Sequence, residues 1–171
     1  MRNRKLANTI LQMAKADQEI RKAFLKDASL YREVEKIDVS NPKKMKILVK
    51  KFGWPTISLV GKKASHFAWL LVQHADMDVE FQEHCLALMK KEVESGEVSK
   101  ADIAYLTDRV LVNKGKKQIY GTQFYRNKAG KLVSKPIKDV ANTDRRRREM
   151  DMESFGLYSK KLTNSIMVGK L

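Results

Sequence analysis

The chain has 171 residues, 43% of them hydrophobic and 32% charged, with eight glycines and three prolines, which is the composition of a folded globular protein rather than a disordered or fibrous one. Its formal net charge is +15, a field that attracts polyanions such as nucleic acid, nucleotides or an acidic protein. One cysteine, Cys85, excludes an internal disulfide and the all-cysteine zinc sites, and no apolar run approaches the ~20 residues of a membrane span.

The opening Met1-Arg2-Asn3-Arg4-Lys5 is basic and leads into a charge-studded amphipathic segment, not the apolar stretch of a secretory signal. These features predict a cytoplasmic protein with no membrane partner. The length suits a single domain, residues 1–171, with a core over 4–158 and a polar tail over 159–171.

In chain order, the first predicted helix runs from about Arg4 to Leu25, with Leu6, Ile10, Met13, Ile20 and Phe24 on one face. Asp17, Gln18 and Arg21 interrupt or flank that stripe, and Asp17 and Arg21, four apart, can pair on the helix surface. A connecting stretch covers Tyr31 to Val39. Asn41-Pro42 then reads as an N-cap followed by proline at the first helical position, opening a helix that ends near Phe52 with Gly53 as its cap. Trp54-Pro55 forces an extended or turn step.

Gly61 to Asp76 is the most apolar segment and predicts a buried helix. Another helix follows over about Asp78 to Glu94 and stops at Gly96. Ser99 and Asp102 resemble a capping pair for a helix carrying Ile103, Leu106, Val110 and Leu111 and ending before Gly115. Gln118 to Tyr125 is rich in β-branched and aromatic residues and predicts a strand. Asn127-Lys128-Ala129-Gly130 is a turn, and Leu132-Val133 returns as a second strand. A last helix begins near Asn142-Thr143-Asp144. The expected fold is therefore mainly α, with a small β-hairpin in the C-terminal third.

Three polar runs stand inside otherwise apolar segments, where unpaired polar groups are costly, and this marks them as site candidates. The first is Gln73-His74-Ala75-Asp76-Met77-Asp78. At 100° per residue Phe67, Leu71, His74 and Asp78 share an arc, so Asp78 stands one turn from the imidazole and suits the role of orienting a general acid or base. Asp76 points elsewhere, towards Trp69. The bland alternative is a core histidine bonded to a backbone carbonyl, with Asp78 capping the next helix. A metal set of His74, Asp78 and His84 or His66 lacks the spacing of known zinc motifs, and no cofactor is predicted.

The second run is Asp108-Arg109. Its arginine suits bidentate capture of a carboxylate or phosphate, against the commoner fate of an ordinary ion pair. The third is Gln118-Ile119-Tyr120-Gly121-Thr122-Gln123. Strand alternation would place Gln118, Tyr120 and Thr122 on one face as a hydrogen-bonding wall and Gln123 on the other. Gly121 suggests a bulge or a close approach. No phosphate-binding glycine loop and no nucleophile elbow occurs, and Cys85 lies on an apolar face as a core residue.

Asp17-Gln18 with Arg21, Gly53-Trp54-Pro55, Val60-Gly61, Trp69 with Gln73-His74-Ala75-Asp76, Tyr105-Leu106 with Asp108-Arg109, Gln118 with Tyr120-Gly121-Thr122-Gln123, and Pro136-Ile137 with Asp139 together form a pattern. In order and spacing it resembles a largely bacterial domain-of-unknown-function family, in words number six-six-two-four. The resemblance spans roughly Leu6 to Leu157, and Asp144-Arg145-Arg146 and Phe155-Gly156-Leu157 match its closing segment. It carries no established activity. It does imply that His74, Asp76, Asp108, Arg109, Gln118, Tyr120 and Gln123 converge on one pocket.

Two classes of function follow. One is a cofactor-independent hydrolase or transferase, with His74, Asp76 and Asp78 catalytic and Asp108, Arg109, Gln118, Tyr120, Thr122 and Gln123 binding a polar, anionic small molecule or peptide. The other is a non-catalytic module. It would bind nucleic acid or an acidic protein through lysine-rich stretches such as Val39 to Ala75, which has seven lysines and no acid, or sequester a small ligand without turnover.

Overall fold

A computed structural model describes residues 2–167. The chain falls into two compact units, residues 1–99 and 100–171. The fold is mainly α-helical with one two-stranded hairpin, as the hydrophobic periodicity predicts.

The first unit is all helical: α1 (Arg4–Phe24), α2 (Tyr31–Phe52), α3 (Ile57–Val60), α4 (Lys62–Gln73) and α5 (Val79–Glu92). Asn3 caps α1 by accepting from the Leu6 N–H at 3.0 Å. The buried face of α1 is Leu6, Ala7, Ile10, Met13, Ala14 and Asp17. It packs chiefly against α4, which is the apolar central helix that its sequence predicts and which buries Ala64, Ala68, Trp69, Leu71 and Val72. Phe81, Cys85, Leu86 and Met89 of α5 close the core. Burial pushes the Cys85 thiol up to about 12, so it is inert packing rather than a nucleophile.

Two expectations are corrected here, the connecting stretch over Tyr31 to Val39 and the helix start at Asn41-Pro42, which both lie inside one helix. Asn41-Pro42 does not open a helix, because α2 starts ten residues earlier at Tyr31 and carries Pro42 within it. The apolar positions Val34, Met45 and Val49, with buried Asn41 between them, keep one helical face across the proline. Burial of that face outweighs the hydrogen bond that Pro42, lacking an N–H, cannot give. The predicted stop does stand: Gly53, at φ 72°, ends α2 with its N–H on the Val49 carbonyl.

The second unit consists of α6 (Lys100–Asn113), the hairpin β1 (Phe124–Arg126) and β2 (Leu132–Ser134), α7 (Thr143–Glu149) and α8 (Phe155–Met167). The strands are antiparallel, with Tyr125 opposite Val133. The predicted strand over Gln118 to Tyr125 is corrected: only its last two residues enter β1. Residues 118–123 form an irregular loop held by one parallel bridge between Gln118 and Ile137. The region expected as a polar tail continues as helix through Met167. Among the described residues no helix is long and apolar enough to cross a membrane.

Candidate functional site

In the first unit the polar run at the end of α4 meets residues of α1. His74 is the C-cap of α4, and its ring sits against a carboxylate: Nδ1 lies 2.9 Å from Oδ2 of Asp17. Asp17 is fully buried, on the same face of α1 as Met13. Arg21, one turn along, donates to it from Nε at 3.1–3.2 Å and from Nη2 at 3.1 Å, and Gln18 Nε2 donates at 3.0 Å. The second terminal group of the chain is Asp38 of α2, which accepts from Arg21 Nη2. The result is a line of alternating groups, Asp38–Arg21–Asp17–His74, that crosses three helices.

A carboxylate withdrawn from water would ordinarily bind its proton more tightly. Burial does raise the Asp17 carboxyl, but the bonds from His74 and Arg21 overcome it and hold the group down at about 2. Asp17 is therefore an anion at neutral pH. An anion accepts, so Nδ1 of His74 carries a proton and Nε2 is left with the lone pair of a base or, once charged, the proton of an acid. Nε2 makes no hydrogen bond among the described residues, and the side chain retains 17% exposure.

The depressed carboxyl makes stability depend on pH. Its folded value of about 2 lies below the ordinary 3.8, so its contribution is complete above 3.8 and is lost as pH falls towards 2. The depression is worth about 2 kcal/mol. Unfolding free energies from urea titrations followed through Trp54 and Trp69, both in this unit, should be flat near pH 6 and fall by about that amount between pH 4 and pH 2. In Asp17→Asn that fall should be absent.

The carboxylate expected to orient His74 was Asp78 or Asp76, and here the structure differs. α4 ends at Gln73, so the arc that would bring Asp78 under the ring is broken by the turn. Asp78 is the N-cap of α5, accepting from the Phe81 N–H at 3.3 Å, and pairs with Lys46 at 2.5 Å. Asp76 is exposed and accepts from Gln82 Nε2 at 3.4 Å. The carboxylate on the ring is Asp17, which sequence spacing placed on the surface with Arg21. The signal was present: Asp17 continues the Ile10, Met13 face, where a lone acid must be buried and paired.

In the second unit the runs Asp108-Arg109 and 118–123 meet each other. Asp108, fully buried on α6, accepts from the backbone N–H groups of Ile119 at 2.7 Å, Tyr120 at 3.0 Å and Thr122 at 3.0 Å, and from the Thr122 hydroxyl at 3.0 Å. Gln118, also fully buried, closes the loop. Its Nε2 donates to the Gln123 carbonyl at 3.0 Å and the Lys135 carbonyl at 2.7 Å, while its Oε1 accepts from the Gln123 N–H at 2.8 Å. Arg109 donates to Gln123 Oε1 at 3.0 Å.

Two arginines that the sequence did not mark as site residues complete this arrangement. Arg146 donates to the Ile119 carbonyl at 3.1 Å, and Arg147, 1% exposed, donates to the Tyr120 and Glu153 carbonyls at 2.7 Å each. The Arg147 guanidinium also lies over the Tyr158 ring, 4.8 Å from its centroid. The run of arginines after Asp144 reads as a basic surface cluster, yet two of its members face inward. Gly121, at φ 73°, permits the turn, and a Cβ there would meet the Phe155 ring at 2.7 Å. The close approach that this glycine suggested is to a side chain of α8.

The side chains of Gln118, Thr122 and Gln123 are thus turned into the loop and not arrayed as a wall. The Tyr120 hydroxyl makes no bond among the described residues, and burial, with Asp108 nearby, raises its pKa. Beside this loop a hollow of about 490 Å³ is lined by Leu111, Lys116, Lys117, Ile119 and Lys138. Among the described residues no group of three His, Cys, Asp or Glu side chains is placed to hold a metal ion.

No curated protein and no solved structure matches the chain. A family model does, over residues 4–168, nearly the whole length, and the positions that carry the resemblance include both halves of the Asp17–His74 pair and of the Asp108 loop. The chain belongs to the family of unknown function DUF6624.

Proposed function

We propose that the chain is an enzyme of the hydrolase or transferase kind, working without a bound cofactor, in which His74 is the general base and acid and Asp17 positions it. The observation that carries this reading is the 2.9 Å contact between a fully buried, ionised Asp17 and Nδ1 of His74, with Nε2 left unbonded. A scaffold has little use for such a pair. Burying a carboxylate and its partners costs several kcal/mol of desolvation, and apolar packing would serve stability as well. The same arrangement fixes an imidazole tautomer and stabilises the imidazolium formed when Nε2 takes a proton. Substrate is polar, and the protein's +15 charge favours an anionic one.

The experiment is a screen of pooled metabolites and peptides with purified protein, following product by mass spectrometry, with His74→Gln as the matched control. A product formed by the wild type should fall by about 10²–10⁴ in His74→Gln. Equal turnover by both proteins would remove His74 from the chemistry.

A second reading is favoured by the charge of the second unit, which has seventeen Lys or Arg against seven Asp or Glu, a surplus of ten. With three lysines around one hollow, this unit suits a polyanion. Such binding would weaken steeply with salt and respond to charge reversal at Lys116, Lys117 and Lys138, while His74→Gln would leave it unchanged.

A further inference from the structure

A second feature of the first unit is unrelated to the histidine. α1 and α2 pack side by side, and between them runs a groove of about 530 Å³. That volume lies within the usual range for small-molecule sites. Its walls are mainly apolar, including Met13, Ile37, Leu48 and Ile47, and Ile47 is 67% exposed. Five polar side chains also line it, Thr9, Gln12, Ser40, Asn41 and Lys44, and the last two bear on a ligand's charge. Asn41 is 6% exposed, yet its side-chain amide donates to nothing: Nδ2 is buried without a hydrogen-bond partner. Lys44, three residues along α2 and exposed, lines the same groove.

A buried amide without a partner costs free energy unless something arrives to accept from it. The natural occupant has an apolar body and an anionic acceptor at one end. The amide would donate to that acceptor, and the ammonium of Lys44 would pair with it.

We propose that the α1–α2 groove is a binding site for an amphipathic carboxylate of the medium-chain acyl type, its chain lying along Met13, Ile37, Ile47 and Leu48 and its carboxylate held by Asn41 and Lys44. This site does not depend on the acid–base reading of His74. Its lining shares no residue with the Asp17–His74 pair.

The test is calorimetric titration of the full chain with decanoate, well below its micellar concentration, and with decanol as the uncharged counterpart. Decanoate should bind saturably at about 0.1 mM or tighter. Decanol should bind about tenfold more weakly, because it lacks the charge-assisted bonds. Asn41→Leu should bring decanoate down to the affinity of decanol. Ile47→Glu, at an exposed position that cannot disturb the core, should weaken decanoate by about tenfold through a like charge at the rim. Equal binding of decanoate and decanol, unchanged binding by Ile47→Glu, or no saturable binding at all would each overturn the proposal. So would light scattering that shows a wild-type dimer abolished by Ile47→Glu and indifferent to decanoate, which would assign the groove to a second copy of the chain. His74→Gln should bind decanoate like the wild type, and this separates a failure here from a failure of the catalytic reading.

Discussion

Asp108→Ala is expected to destabilise the second unit by about 3–5 kcal/mol, among the largest losses that a single substitution in this chain can produce. The carboxylate receives three backbone N–H groups and one hydroxyl, and it does so while fully buried. Alanine would leave those donors inside the protein with no acceptor, and each would carry its own desolvation cost. Asp108→Asn should cost less, about 2 kcal/mol, since one oxygen remains. The check is urea unfolding followed by far-UV circular dichroism, together with hydrogen exchange at the amides of Ile119, Tyr120 and Thr122. Both tryptophans lie in the first unit, so their emission does not serve here. Exchange at those amides should accelerate far more than at the hairpin turn around Gly130. Unchanged exchange in Asp108→Ala would show that the loop holds without its central acceptor.

On the acid–base reading proposed above, Asp17→Asn is expected to lower kcat by about two to four orders of magnitude while leaving the fold in place. The reason is the tautomer. An asparagine amide turned towards Nδ1 offers an N–H as readily as an oxygen, and the ring would then place its proton on Nε2, where the base is needed. Arg21 keeps Asp38 as a partner in the variant, so its charge is not stranded. The effect should fall on kcat rather than KM, because Asp17 is fully buried and would act only through His74. Turnover of the screened substrate with unaltered kcat in Asp17→Asn would contradict the positioning role, whatever happened to stability.

Much of the helical architecture was legible from local rules. The start of α1, the glycine that ends α2 and the turn of the hairpin each rest on a backbone preference of one or two residues. What was not legible depended on tertiary partners. Pro42 looked like a helix start because proline is at home there, and only the packing of the α2 face across it shows otherwise. Residues 118–123 have the composition of a strand, but a strand needs a neighbouring ladder. This segment instead spends its N–H groups on Asp108 and its carbonyls on Arg146 and Arg147, neither of which spacing along the chain could reveal. The same limit applies to the candidate site. His74 was conspicuous as an imidazole at the end of an apolar helix, whereas its partner lies fifty-seven residues away on another helix. A helical wheel can only offer Asp78.

The tautomer of His74 tests the central claim most directly, because it can be read without knowing the substrate. Two-bond ¹H–¹⁵N correlation spectra of uniformly labelled protein, with His74→Gln for assignment, distinguish a protonated ring nitrogen from one that bears a lone pair. With Asp17 ionised against the ring, the neutral form of His74 should carry its proton on Nδ1 and its lone pair on Nε2, and Asp17→Asn should reverse that preference. A wild-type ring protonated on Nε2, or a ring whose tautomer ignores Asp17, would mean that the pair is a structural contact and His74 is not poised for proton transfer.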